Sequence, residues 1–153
     1  MPMVPFYTRF PDLAEKETRV LTVQGWPGFP NGEYGFLELY CDDPKCDCRR
    51  VVIWAATEKP EAKIWATINY GWERIEFYER WMRDEQMAQE CVGATLDPFN
   101  IQTQYSHILL EQFRYILQDQ AYVKRLKKHY ELFKSTQRKP RKPRARAEKK
   151  TKP

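Results

Sequence analysis

The hydrophobic period of this 153-residue chain changes at Gly71, and no other feature constrains its fold as much. Before that glycine, apolar and β-branched residues alternate or run in short blocks. After it they recur every three, four or seven residues. Side chains alternate across a strand with a period of 2 and return to one face of a helix with a period of 3.6, so the first half predicts strands and the second half helices.

Thr18 to Gln24 (TRVLTVQ) alternates Val20 and Thr22 with Leu21 and Val23 and reads as the first strand. Trp26 to Gly35 (WPGFPNGEYG), with its prolines and the Asn31-Gly32 pair, reads as a connection between antiparallel strands. Phe36 to Cys41 places Phe36, Glu38 and Tyr40 on one face and Leu37, Leu39 and Cys41 on the other. Arg50 to Thr57 and Ala62 to Asn69 follow, separated by the turn-like Glu58-Lys59-Pro60-Glu61. Four strands in order over residues 18–69 predict an antiparallel meander.

Trp72, Ile75 and Met82 carry helical spacing over residues 72–91, with Cys91-Val92-Gly93 as the stop and Ala94 to Gln102 as a loop. Residues 103 to 134 contain neither Gly nor Pro. The polar Gln118-Asp119-Gln120 predicts a break, with Asp119 capping the second of two helices, 103–118 and 120–134. The alternative is one long helix, because Leu109, Ile116, Val123 and Tyr130 keep a seven-residue step across Asp119. Residues 1–17, with prolines at 2, 5 and 11, read as an irregular arm pinned by Phe6, Tyr7 and Phe10. The expected architecture is α+β: a small antiparallel sheet of about four strands, packed on one face by two or three helices, as one domain over residues 1–135.

Charge is distributed unevenly. Ten Lys and Arg lie between Lys134 and Pro153 against the single Glu148, so the remaining body is net acidic although the whole chain is +5. From Thr136 onward no residue is aromatic, Val, Ile, Leu or Met, so nothing offsets the entropy of ordering, and residues 136–153 are expected to be a disordered basic tail. The last predicted helix adds Lys124, Arg125, Lys127, Lys128 and Lys134 to the tail cations Arg138, Lys139, Arg141, Lys142, Arg144, Arg146, Lys149 and Lys150. Such a stretch neutralises phosphates without fixed geometry, which predicts nucleic-acid binding with little sequence readout. The alternatives are a solvated extension of a body that binds a partner protein, and a contact with anionic lipid.

Cys41, Cys46 and Cys48 form a C-x4-C-x-C pattern at a connection between two predicted strands. Thiolates about 2.3 Å from a tetrahedral zinc ion are what a tight turn can present, and Cys91 is the first choice for the fourth ligand, with His107, His129 and loop carboxylates as alternatives. The competing readings are three unmetallated thiols and a redox pair or disulfide. His129, beside the apolar face of the last helix, reads as a packing residue.

Several chemistries are disfavoured. Ser106 and Ser135 sit in no G-x-S-x-G elbow, no phosphate-binding glycine loop is present, and neither histidine pairs with the cysteines in a zinc-hydrolase pattern. A non-catalytic protein is the expectation. The longest apolar run, Val51 to Ala56, is far below the roughly 20 residues of a membrane span. The N-terminus has no apolar leader core, so the expected setting is soluble and cytoplasmic.

Overall fold

A computed structural model of the chain describes residues 3–138. Lys139, Arg141, Lys142, Arg144, Arg146, Lys149 and Lys150, and with them most of the expected tail, lie outside the described residues.

The architecture is α+β, with six antiparallel strands and five α-helices among the described residues. In chain order these are β1 (Met3–Pro5), a 3-10 turn (Phe6–Thr8), α1 (Pro11–Glu17), β2 (Arg19–Val23), β3 (Gly32–Cys41), β4 (Arg50–Thr57), β5 (Lys63–Gly71), α2 (Ile75–Met82), α3 (Glu85–Cys91), β6 (Gly93–Leu96), α4 (Ser106–Ile116) and α5 (Gln120–Arg138). Strands β2 to β6 pair as a consecutive meander, and β1 joins β3 on the same edge as β2, with Met3 opposite Cys41 and Arg19 opposite Phe36. No helix among the described residues is long and apolar enough to cross a membrane.

The alternation of β3 sets the core. Tyr34, Phe36, Glu38 and Tyr40 face the helices: Phe36 meets Phe113 of α4, and Tyr40 meets Tyr130 and Phe133 of α5. From the helices, Leu109, Leu110, Phe113 and Ile116 of α4 and Tyr122, Leu126, Tyr130 and Phe133 of α5 complete the buried layer over Ile53, Ala55, Ala66 and Ile68. The periods of 2 and 3.6 thus meet face to face.

Several expectations are corrected. The N-terminal arm is ordered as β1, the turn and α1, because Phe6 is buried and stacks on Phe10 and on His129. The sheet has six strands, not about four. β1 and β6 are three and four residues long, too short for a period to show. The turn before β3 is shifted from Trp26 to Gly35 onto residues 24–31: Gly25 and Gly28 supply its left-handed backbone at φ +76° and +71°, and the Asn31 side chain accepts a bond from the Gly25 N–H.

The expected helix over 72–91 is two helices. Arg83 turns left-handed at φ 59°, and the Asp84 carboxylate caps a new helix by accepting from the N–H groups of Gln86 and Met87. Between 103 and 134 the two-helix reading holds. Asp119 Oδ1 accepts from Ala121 N–H at 3.0 Å and starts α5, which continues past the expected end to Arg138.

Helices α2 and α3 pack as a satellite around Tyr78, Ala88 and Cys91 at the end of β5. Tyr78 Oη donates to the Arg49 carbonyl at 2.7 Å. Gly71 is the hinge of this arrangement, since a Cβ there would lie 2.7 Å from Tyr78 Oη and inside contact distance of the Cys91 carbonyl. Both neighbours are held in place, so Gly71→Ala should destabilise the chain by about 2 kcal/mol or more through overpacking. Urea unfolding checks this. Unchanged stability would show that the satellite does not seat on Gly71.

Candidate metal centre

The connection from β3 to β4 is built by local bonds. Cys41 is the last residue of β3. The Asp43 carbonyl accepts from Cys46 N–H at 3.1 Å and its carboxylate from Lys45 N–H at 3.0 Å, a turn that folds the chain back on itself. Asp43 N–H also points at Cys41 Sγ, 3.4 Å away. The turn brings the sulfurs of Cys41, Cys46 and Cys48 within 4.8 Å of one another. Sulfurs bound at about 2.3 Å to one tetrahedral ion sit roughly 3.8 Å apart, so the three lie within about 1 Å of ligating separation.

Helix α5 holds this loop from one side. Tyr130 Oη donates to Asp47 Oδ1 at 3.1 Å and accepts from Arg49 N–H at 3.2 Å. Lys134 Nζ donates to the carbonyls of Cys41 at 3.3 Å and Asp43 at 2.9 Å. Asp47 is also clamped by the Arg49 guanidinium, which holds its carboxyl below the usual carboxylate range.

Burial sets the proton state of Cys46 and Cys48. Cys41 and Cys48 are buried and Cys46 is half-buried. Burial, then the neighbouring Cys48 and Cys41, push the Cys46 thiol up to about 12. Burial raises Cys48 as well, with Arg50 and Lys134 opposing. Three thiolates packed this closely repel one another, and a divalent cation among them reverses that balance. The donor set of three soft sulfurs therefore fits a thiophilic ion.

The structure does not bring Cys91 to this group. Cys91 closes α3, and its Sγ lies 3.4 Å from Met82 Sδ in the satellite cluster. Among the described residues no His, Asp or Glu joins the three sulfurs either. His107 is exposed on α4.

The basic residues divide. Lys124, Lys127 and Lys128 are exposed on the solvent face of α5. Arg125 turns inward and donates to the Glu17 carbonyl at 3.1 Å. Lys134, counted among the phosphate-binding cations, is only 2% exposed, and its ammonium is spent on the cysteine loop. Arg138 is the last residue of α5.

A second polar group was not anticipated as a group. His129 is buried with Glu38 on one ring nitrogen and Glu17 on the other. The signal was present in β3, whose alternation puts the Glu38 carboxylate on the core face, where a charge requires a partner.

Comparison with protein families, with characterised proteins and with solved structures finds no match, so the site is read from its own chemistry. The chain purified with reduced thiols in zinc-containing medium should hold about one metal equivalent by elemental analysis. Cys46→Ser or Cys48→Ser should lower that content sharply, and Cys91→Ser should leave it unchanged. Full metal content in the Cys48 variant would exclude the three-sulfur site.

Proposed function

We propose that this chain is a non-catalytic, zinc-binding module that associates with nucleic acid through the solvent face of α5 and the basic residues after it. The observation that carries the reading is the convergence of Cys41, Cys46 and Cys48 in a loop pinned to α5 by Tyr130 and Lys134. Zinc in that loop would stiffen the C-terminal half of α5, the part that leads into the basic run. Cys41, Cys46 and Cys48 would supply thiolates, with a further donor from outside this group. The role is structural, since zinc bound this way contributes folding energy.

Lys124, Lys127 and Lys128 lie three and four residues apart, hence on one helix face, and among the described residues none forms an ion pair. That row, continued by the ten Lys and Arg of residues 134–153 apart from the inward Lys134, supports phosphate contact without base readout. The acidic body repels a phosphate backbone and confines contact to this end.

One observation favours a second reading, an adaptor for a partner protein. Phe99 is 92% exposed on a tight turn in which the Asp97 carboxylate accepts from Phe99 N–H at 2.9 Å. An aromatic ring held out in this way has the form of an anchor for a pocket on another protein.

A salt titration of labelled duplex and single-stranded oligonucleotides separates the two. Engagement of six phosphates gives a slope of roughly -5 in log K against log salt on duplex DNA, and replacing Lys124, Lys127 and Lys128 by Gln should flatten it by up to about 3. No binding at low salt would overturn the nucleic-acid reading, and loss of a co-purifying protein in Phe99→Ala would support the adaptor.

A further inference from the structure

His129, 1% exposed, has a carboxylate on each side: Nδ1 is 2.6 Å from Glu38 Oε1 and Nε2 is 2.7 Å from Glu17 Oε1. A neutral imidazole has one N–H and can satisfy only one of them. Both short bonds together require one further proton, carried by the ring or by a carboxyl. Glu38 is itself buried and also accepts from Tyr40 Oη at 2.8 Å. Glu17 is half-exposed and can turn to water.

What His129 holds on its Nε2 side belongs to the N-terminal arm. Glu17 ends α1, and the Phe6 ring stacks on the imidazole at 4.3 Å and 15°. The arm's other anchors are the buried Phe6 edge-on to the Tyr40 ring, Ala14 and the partly buried Met3, Val4, Phe10 and Leu13 against the core, the Arg125 bond to the Glu17 carbonyl, the Arg9–Asp42 ion pair with Arg9 over the Phe133 ring, and the three-residue pairing of β1 with Leu39 to Cys41.

We propose that the arm, residues 3–17, is a strap latched by one proton shared across Glu17, His129 and Glu38, and that losing this proton lets the strap lift from the edge of β3 that ends in Cys41. With the proton gone, the remaining ring N–H stays with Glu38, which is buried and needs it more. The bare Nε2 then faces the Glu17 carboxylate, lone pair against lone pair, and Glu17 leaves with its helix. The latch needs no bound metal.

The groups around the latch fix the sign of the pH dependence. From α1 comes Glu17; from β3, Glu38 and Tyr40; from α5 itself, Arg125 and Lys128, both acting on Glu17; Arg19 of β2 is taken up by Asp119 and the Tyr122 ring. Burial alone would push His129 down, but Glu38 and Glu17 outweigh it and hold the imidazolium above its ordinary range. The His129 bond, against burial, holds Glu17 below the carboxylate range. Docking is then fullest between the ordinary values of Glu, about 4.3, and His, about 6.5. It weakens as pH rises through the elevated His129 value, and again as pH falls through the lowered Glu17 value.

The test is NMR of the full chain, labelled with 15N, from about pH 5.5 to about pH 9. At the acid end both His129 ring nitrogens should carry hydrogen. Above the His129 midpoint, opening of the Val4 to Glu17 amides should grow by up to tenfold per pH unit, the limit for one proton, while α4 stays protected. Glu17→Gln should lower the His129 midpoint, and Glu15→Gln on the same helix should not. The wild-type titration decides the matter without any variant: a His129 that is neutral at the acid end with both carboxyls ionised, or an arm that stays closed while His129 titrates, overturns the proposal.

Discussion

A carboxylate on the helix-facing side of a sheet must be paired, and in this chain the contact between Glu38 and His129 answers that need. Leaving either charge buried alone typically costs about 3–5 kcal/mol, as much as truncating a buried phenylalanine. The contact therefore sets where α5 lies on β3. With His129 over Glu38, the next residue, Tyr130, reaches Asp47, and one turn further Lys134 reaches the Cys41 and Asp43 carbonyls. Three polar contacts within six residues lock the helix against sliding along the strand. The same histidine holds Glu17 and stacks on Phe6, so the N-terminal arm takes its position from it too.

The cysteine loop depends on this register. Its turn is local, but its attachment to the rest of the molecule runs through Tyr130 and Lys134. The basic helix accordingly does two jobs with one composition. Arg125 and Lys134 face inward and complete carbonyls of the arm and the loop, whereas Lys124, Lys127 and Lys128 stay in water. A lysine can do either because its apolar stem tolerates burial while its ammonium finds three acceptors or solvent.

Local pattern carried much of the fold. Arg50 to Thr57 is a strand over the whole expected range, because β-branched and aromatic residues suit a buried pleat whichever strand lies beside it. The face holding Phe36, Glu38 and Tyr40 followed from a period of 2, and the break at Asp119 from a side chain able to accept the first N–H groups of α5. The closeness of Cys41, Cys46 and Cys48 was legible as spacing, since eight residues closed by a turn cannot scatter three sulfurs far.

What the tertiary structure alone decided shares one property: it depends on residues distant in the chain. Met3 to Pro5 and Gly93 to Leu96 are strands only because β3 and β5 offer open edges. Cys91 goes to Met82 and away from the other cysteines because Arg83 turns the chain between two short helices. His129 finds partners 91 and 112 residues earlier, and Lys134 finds its carbonyl partners 93 and 91 residues earlier. The order of residues determined which faces are apolar and where the chain turns, since those are properties of a few neighbours. Which charge answers which was settled only when the faces packed, because a buried polar group takes the partner that the whole fold delivers to it.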